Sequence, residues 1–188
     1  MFLNEKGRTS VKNDGLMPSA LSGPVLDFLM PKITLLGNGG AIWILAALIL
    51  LCTKKYRRQG VLLLVGLIAG VLVGNACLKN LIARPRPCWL DSSVQLLITN
   101  PADYSFPSGH TLSSVIGATG LTKTNRRFGY AAIPLAALIA FSRLYLYVHF
   151  PSDVLAAAVL GVALGELVWR CGGKLLERWH APRGRQRA

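Results

Sequence analysis

The sequence predicts an all-α fold: an integral membrane bundle of about six transmembrane helices with both termini in the cytoplasm. Two observations lead to this prediction. Of the 188 residues, 52% are hydrophobic and the mean hydropathy is +0.44, which is high for a soluble domain of this size. The apolar residues also form long runs, which extend with neutral neighbours to about 20 positions and so match the thickness of a bilayer. The runs are residues 41–52, 61–77, 130–141 and 154–168.

Six helical segments can be placed along the chain. The first contains Pro24, Asp27, Pro31 and Lys32, so two alternatives stay open for it: a transmembrane span, or an amphipathic helix at the membrane interface. The Gly-Asn-Gly-Gly sequence that follows indicates a turn before the second span. The predicted spans are residues 19–36, 41–53, 60–82, 107–122, 128–147 and 151–171. They form a transmembrane domain over residues 19–172, between a polar N-terminal segment (1–18) and a basic cytoplasmic tail (173–188).

The positive charges lie at the ends of the apolar runs. The formal net charge is +13, and the basic residues cluster at 54–58, 123–127 and 170–187. This is the pattern of cytoplasmic loops in membrane proteins, and it argues against nucleic-acid binding as the reason for the charge. With these clusters in the cytoplasm, six crossings place both termini inside. The first residues of the chain lack the apolar core of a cleavable signal peptide.

The four cysteines do not form a recognisable framework. They have no C-x-x-C spacing, so the sequence predicts neither a disulfide scaffold nor a zinc site. Cys52, Cys77 and Cys171 are interpreted as small apolar residues at or within spans. Cys88 lies in a loop and receives no role.

The opposite face of the membrane receives three polar stretches. The first carries Lys79, Arg84 and Arg86 at the end of the third span. Cationic side chains at a membrane boundary are costly unless they reach the interface, pair with an anionic group or hold an anionic ligand. Simple anchoring is disfavoured because basic residues are normally concentrated on the cytoplasmic side.

The second stretch opens the fourth span. Pro107 suits the first position of a helix, which places Ser108, Gly109 and His110 in the first turn. The free backbone N–H groups and the helix dipole of such a turn attract anions, and Gly109 lets the backbone approach a ligand closely. The stretch therefore predicts an anion site with an imidazole beside it.

The third stretch joins the fifth and sixth spans and contains Arg143, His149 and Asp153. Pro151 indicates a helix start, so Asp153 can hydrogen-bond one ring nitrogen of His149, which fixes the tautomer and makes the other nitrogen more nucleophilic. A single histidine at a helix end is often structural. Here two of the three histidines face the same side as four basic residues, which a structural role does not explain.

These groups suit phosphoryl transfer. Fixed positive charges and helix N–H donors match the three equatorial oxygens of a phosphoryl group in transit. Two histidines match the two ends of an in-line displacement, because one can attack phosphorus while the other protonates the leaving oxygen. Water would then hydrolyse the phosphoenzyme. No acidic cluster offers the carboxylates that a catalytic magnesium ion requires, so we expect chemistry without a metal or other cofactor.

The three stretches resemble the signature of the type 2 phosphatidic acid phosphatase (PAP2) superfamily, which is Lys-x6-Arg-Pro, Pro-Ser-Gly-His and Ser-Arg-x5-His-x3-Asp. Every position is filled with its spacing intact over residues 79–153, and the six-span layout fits the membrane branch of the family. The resemblance implies that His149 is the nucleophile that forms phosphohistidine, that Asp153 orients it and that His110 protonates the leaving group. It implies phosphate binding by Lys79, Arg86, Ser108, Gly109 and Arg143. Arg84 lies outside the signature, and both headgroup binding and an interface position stay open for it.

The resemblance implies a bacterial inner-membrane lipid phosphatase whose active site faces the extracytoplasmic side. Its substrates would be lipid phosphates or pyrophosphates, of the undecaprenyl pyrophosphate, phosphatidylglycerol phosphate or phosphatidic acid class, and its other partners membrane lipids. Soluble acid phosphatases and vanadate-dependent haloperoxidases share the signature, but the predicted spans argue against both. The main alternative is a non-catalytic membrane protein that binds anionic headgroups. A transporter would need more polar residues at mid-depth than Asn75 and Glu166. The preferred lipid and the oligomeric state stay open.

Overall fold

The computed structural model describes residues 23–180, without the side chains of residues 175–180. In this part of the chain all regular secondary structure is helical, and each of the six predicted segments is found. Residues 1–22, which include the predicted polar N-terminus, and residues 181–188 of the predicted tail lie outside the described residues. The helices are α1 (Pro24–Leu36), α2 (Ala41–Cys52), α3 (Arg57–Gly70), α4 (Lys79–Ile82), α5 (Pro87–Leu90), α6 (Gly109–Thr124), α7 (Arg126–Tyr145) and α8 (Pro151–His180).

Two features differ from the predictions: an additional short helix and the end of the last helix. A π-helical segment, Val71–Leu78, joins α3 to α4, so residues 57–82 form one continuous helical stretch, as expected for the third span. The short helix α5 lies in the polar connection between the third and fourth predicted spans. The last helix does not end at Cys171 but continues to His180, because residues 172–180 add no proline that would stop it.

The predicted turn between the first two spans is a bend. α1 and α2 meet at an angle of 45° across the short turn Asn38–Gly40, in which Gly39 and Gly40 have φ of +59° and +72°. Glycine adopts this left-handed region without strain. The hydroxyl of Tyr145 donates to Asp27 near the start of α1, and Arg143 donates to Thr34 further along, so α1 runs antiparallel to the end of α7.

The helices are those of a multi-pass membrane protein. Three helical stretches are long and apolar enough to cross a membrane, and the bent α1–α2 pair is a fourth if it is one span. This confirms the predicted all-helical membrane bundle, while the count of six spans and the side of each terminus stay predictions. The stretches are Arg57–Leu90, Arg126–Tyr145 and Pro151–Lys174.

Helix α6, with 16 residues, lies at the centre of the bundle. It packs against α3, α7 and α8. Trp43 of α2 is buried against it, and the indole N–H donates to Ser114 Oγ at 3.0 Å, which satisfies the one polar group of that side chain. The outer faces of the surrounding helices expose large apolar side chains, as lipid contact requires: Phe28, Ile49, Ile68, Tyr130, Leu155 and Val159 among them.

Within the described residues, the basic clusters at 54–58 and 123–127 lie with Arg170 at one end of the bundle. Tyr56, between α2 and α3, packs edge-on against Phe128 at the start of α7, with ring centroids 5.6 Å apart. Lys123 at the end of α6 forms a 2.7 Å ion pair with Glu166 of α8. The opposite end therefore receives the end of the 57–82 stretch, the start of α6 and the link from α7 to α8, which are the three polar stretches singled out in the sequence.

Candidate active site

A cavity of about 670 Å³ lies at the end of the bundle that carries the three polar stretches. Its volume is in the range of small-molecule sites in proteins. Six of the eight predicted site residues line it: Lys79, Arg86, Gly109, His110, Arg143 and His149. The other two, Ser108 and Asp153, are fully buried behind this wall. The fold thus brings residues from the three polar stretches of the chain to one place.

His149 lies in the link between α7 and α8 and is buried. Its Nε2 atom lies 3.2 Å from Arg86 Nη1, a donor, so Nε2 carries the lone pair and Nδ1 carries the proton. Burial, together with the charges of Arg86 and Arg143, lowers the pKa of His149 to about 4 despite the opposing effect of Asp153. The imidazole is therefore neutral near pH 7, which is the state a nucleophile needs.

The Asp153 carboxylate is surrounded by donors. Arg84 Nη1 lies 2.7 Å from Oδ1, the Ser105 hydroxyl lies 2.5 Å from Oδ2, and the backbone N–H of Phe150 lies 2.9 Å from Oδ2. The distance from His149 Nδ1 to Asp153 Oδ2 is 3.7 Å, which is too long for the direct hydrogen bond expected from the spacing. Arg84 does not line the cavity, so its guanidinium serves the carboxylate rather than the cavity wall.

Asp103, from the loop after α5, occupies the space between two of the predicted phosphate-binding cations. Its carboxylate pairs with Lys79 and with Arg86 Nη2 at 2.6 Å, and its carbonyl oxygen accepts from Arg86 Nε at 2.6 Å. Burial raises the pKa of Asp103, but the two cations more than offset this and hold the pKa at about 2. Asp103 is therefore an anion at any working pH, and it satisfies the cations when no ligand does.

At least one N–H donor of the Arg143 guanidinium has no hydrogen-bond partner among the described residues. Its guanidinium is buried, with 4% of the residue exposed, and Nη1 donates to Thr34 Oγ1 at 2.6 Å. The Nε atom is buried and has no hydrogen-bond partner among the described residues. A buried, unpaired cationic donor is costly, which a bound anion on the cavity side would relieve.

The start of α6 differs slightly from the prediction. The helix begins at Gly109, two residues later than expected from Pro107, because Ser108 is the N-cap and accepts from the backbone N–H of Thr111 at 3.5 Å. At Gly109, an added Cβ would lie 3.1 Å from Asn75 Oδ1, so only glycine fits this approach without displacement. His110 Nε2 lies 2.8 Å from Asn38 Oδ1, which accepts its proton from across the cavity.

The residues do not form a metal site. Within the part of the chain that the structure describes, no group of three or more His, Cys, Asp or Glu side chains is placed to hold an ion. Asp103 and Asp153, the acidic residues at the site, are each engaged by cationic side chains. The positive charge at the cavity comes from the protein itself, through Lys79, Arg86 and Arg143.

Several residues at the site carried no assigned role in the sequence. Asp103 and Ser105 lie close to the signature in sequence, but no spacing rule connects them to it. Thr34 of α1 and Asn38 of the α1–α2 bend are 109 and 72 residues away from the partners that they contact. Cys88 packs among apolar residues that include Met30 and Tyr145, so its role is in the core. Only an alignment of related chains would have marked these residues in advance.

Comparison with known proteins identifies the family of this arrangement. Residues 59–177 match the profile of the PAP2 superfamily. The chain is 35% identical over 121 residues to an undecaprenyl-diphosphatase of Sulfolobus acidocaldarius, a match that covers 64% of this chain and 58% of that protein. It is 31% identical over 146 residues to the undecaprenyl-diphosphatase BcrC of Bacillus subtilis, with 78% and 75% covered.

The fold has a solved counterpart as well. The crystal structure of a transmembrane PAP2 type phosphatidylglycerolphosphate phosphatase from Bacillus subtilis superposes with a TM-score of 0.67 at 28% identity. The superposition covers 88% of this chain and 83% of that one. The similarity therefore extends beyond the signature residues to nearly the whole helical bundle.

Proposed function

This chain belongs to the PAP2 superfamily, and on that basis we propose that it is a membrane lipid phosphatase that releases phosphate from a lipid phosphate or pyrophosphate. The observation that carries this proposal is the cavity, in which two histidines and three cationic side chains from separate segments converge. Relatives that are named as undecaprenyl-diphosphatases and a phosphatidylglycerolphosphate phosphatase support the same class of substrate. Undecaprenyl pyrophosphate and phosphatidylglycerol phosphate are the leading candidates.

The walls of the cavity support a substrate with a charged head and an apolar chain. The cationic residues lie at one part of the wall, and another part is formed by side chains of the α2 and α3 helices and of the π-helical segment. Ile68, Val71 and Leu72 on that part are each more than half exposed on the outside of the bundle. A lipid phosphate would place its head among the cations while its chain lies along this apolar wall and remains in the bilayer. The apolar lining residues are Ile44, Leu67, Ile68, Val71 and Leu72.

In the proposed reaction, His149 Nε2 attacks phosphorus and the bond from phosphorus to the lipid oxygen breaks. The neutral ring and its Nε2 lone pair support His149 as the nucleophile. Lys79, Arg86, Arg143 and the N–H groups at the start of α6, including that of Gly109, would stabilise the phosphoryl oxygens as charge moves onto them. Ser108 contributes by capping this helix, whose first residues, Gly109 and His110, line the cavity.

His110 is the proposed acid for the leaving group. Its Nε2 proton is directed at an oxygen, Asn38 Oδ1, and a leaving lipid oxygen would take the place of that acceptor. In this step His110 reacts as the imidazolium, so after the lipid alcohol or lipid phosphate departs with its proton, His110 is neutral and can accept a proton from the water that attacks phosphohistidine. That second step releases inorganic phosphate and returns both histidines to their starting states.

We place the active site on the extracytoplasmic side of a bacterial inner membrane. The support is the distribution of charge: the basic clusters at the bundle end opposite the cavity fit the cytoplasmic face. In this orientation the headgroup would enter from the outer leaflet. The placement is tested in a variant whose four native cysteines are replaced and whose 91–102 loop carries one introduced cysteine. Labelling of this cysteine by a membrane-impermeant reagent in intact cells supports the placement, and a loop that reacts only after lysis contradicts it.

The function is tested by phosphate release from the purified protein in detergent. The panel contains undecaprenyl pyrophosphate, phosphatidylglycerol phosphate, phosphatidic acid and a soluble aryl phosphate. Preference for one lipid would identify the substrate, and equal rates would mean that the pocket recognises the phosphate alone. No release from any compound would reject the enzyme and favour a protein that only binds anionic headgroups.

Chelators are expected to leave activity unchanged. The positive charge that stabilises the phosphoryl oxygens is supplied by Lys79, Arg86 and Arg143, and the nearby carboxylates are already paired with cations. Turnover of the aryl phosphate with EDTA is expected to stay within about twofold of the untreated rate, since no metal replaces these charges. A loss with EDTA that magnesium restores would contradict the metal-free mechanism.

Replacing Asp103 by Asn is expected to tighten binding of inorganic phosphate. A bound phosphate has to displace the Asp103 carboxylate from Lys79 and Arg86, and the variant removes this competing charge. The inhibition constant of inorganic phosphate is expected to fall on the order of tenfold, the loss of about one charged hydrogen bond. Asp91→Asn is the matched control, because that carboxylate lies in the same loop and, among the described residues, accepts only from Ser93. An unchanged or higher constant in Asp103→Asn would rule out the displacement.

A further inference from the structure

Arg84 and Ser105 hold the carboxylate behind the candidate nucleophile, and neither belongs to the family signature. We propose that they are positioning residues for His149 and act through Asp153. This inference rests on the proposed function, because it assigns their role in the reaction of the same site. Both residues contact Asp153, which is fully buried, and they are tied to each other because the Ser105 N–H donates to the Arg84 carbonyl at 2.8 Å.

Ser105 bridges Asp153 and His149. Its hydroxyl oxygen lies 2.5 Å from Asp153 Oδ2 and 3.4 Å from His149 Nδ1, whereas Nδ1 and Oδ2 are 3.7 Å apart. A hydroxyl both donates and accepts, so it can give its proton to the carboxylate and receive the Nδ1 proton of the ring. The carboxylate thus reaches the imidazole through a serine, and the ring is held with the Nε2 lone pair towards the cavity.

Arg84 holds the other side of the carboxylate. Its Nη1 atom lies 2.7 Å from Asp153 Oδ1 and 2.7 Å from Ser152 Oγ, and its guanidinium stacks on the Phe150 ring at 4.0 Å. Arg84 therefore contacts three residues at the start of α8 and in the link before it. Since Oδ1 is occupied by Arg84, Oδ2 is left to accept from Ser105 and from the Phe150 N–H.

The charges around His149 explain why its ring needs neighbouring side chains that fix its orientation and its tautomer. Arg86 lies against Nε2 and Arg143 lines the same cavity, so the ring faces cations on the side where it must present its lone pair. An imidazole free to rotate or to move its proton to Nε2 would lose the attacking pair. The anchored carboxylate and the bridging hydroxyl favour the proton at Nδ1, and a small displacement at a reacting centre can cost about 10²-fold in rate.

The test compares Ser105→Ala, Arg84→Gln and Arg84→Lys with the matched loop control Ser93→Ala, whose hydroxyl contacts only the exposed Asp91 carboxylate. Substrate is the soluble aryl phosphate, and inorganic phosphate serves as the binding probe. For Ser105→Ala and Arg84→Gln, kcat is expected to fall by about 30- to 100-fold, while KM and the phosphate inhibition constant stay within about twofold. Arg84→Lys keeps the charge and is expected to recover most of kcat, and Ser93→Ala is expected to match the wild-type protein.

A double-mutant cycle separates positioning from a general loss of structure. In an Asp153→Asn background, which is itself expected to cost on the order of 10³-fold in kcat, adding Ser105→Ala or Arg84→Gln is expected to cost less than about twofold more. Additive losses, a rise in KM that accounts for the effect, or unchanged kcat would each overturn the assignment. If Ser105→Ala does not fold, the Arg84 pair carries the test alone. An inactive wild-type protein would instead reject the proposed function.

Discussion

The His149→Ala variant is expected to lose phosphate release by at least about 10⁴-fold on every substrate, as removal of an enzyme's nucleophile does. No other neutral nitrogen replaces it, because His110 contacts Asn38 on another wall of the cavity. The variant also leaves Arg86 Nη1 without its ring partner, but the same atom still donates to the Val148 carbonyl at 2.7 Å. The cation therefore keeps its place, and phosphate binding is expected to survive.

Two measurements distinguish a lost nucleophile from a lost fold. Thermal unfolding in detergent should show a folded protein that inorganic phosphate still stabilises. Rapid quenching of the wild-type protein with labelled substrate should trap an acid-labile, base-stable phosphoenzyme, which His149→Ala should lack. Asn80→Ala is a suitable control, since that exposed side chain near the same end donates only to the Ala76 carbonyl. Appreciable turnover in His149→Ala would remove this residue from the nucleophile role.

The His110→Ala variant is expected to lose activity in a way that depends on the leaving group. For a lipid phosphate monoester, whose alcohol leaves poorly without a proton, the loss is expected to be on the order of 10³-fold. For an aryl phosphate with an acidic phenol, the first step needs little help and is expected to fall by only about tenfold. The reason is that His110 supplies a proton to the departing oxygen, whereas bond formation to His149 does not require it.

The same variant should expose the second step. Because His110 also accepts the proton of the attacking water in the proposed mechanism, phosphohistidine should accumulate on the aryl substrate. We expect a rapid burst of phenol equal to the enzyme concentration, followed by slow turnover. Asn38→Ala, which removes the acceptor of the His110 proton but no catalytic group, is a matched comparison and should show no burst. Equal losses on both substrates with no burst would contradict the assignment of His110 as acid and base.

The positions of the helices could be predicted because they follow from local patterns. Long apolar runs correspond to α3, α7 and α8, and the proline and serine before Gly109 indicated the start of α6 to within two residues. The three signature stretches lie at helix ends that face the same way, so their convergence followed from alternating helix direction. The eight residues predicted for the site accordingly lie around one cavity or directly behind its wall.

Contacts between helices could not be predicted from such local patterns. The spacing of four between His149 and Asp153 allowed a direct hydrogen bond, but the packing of the loop before α6 places Ser105 between them. The Gly-Asn-Gly-Gly sequence permits either a reversal or a bend. Packing of α1 along α7, through Asp27 and Thr34, is what makes it a bend and carries Asn38 to His110.

The sequence by itself determined that this is a helical membrane protein with a phosphate-handling set of residues, because periodicity, charge at the span ends and motif spacing are properties of neighbouring residues. Only the tertiary structure decided which partners fix each of these side chains in place and compensate its charge. Asp103 meets Lys79 and Arg86, and Arg84 meets Asp153, across 17 to 69 positions of chain. Such pairs depend on the register in which whole helices and loops pack, where burial makes every unpaired charge costly and so selects the partner.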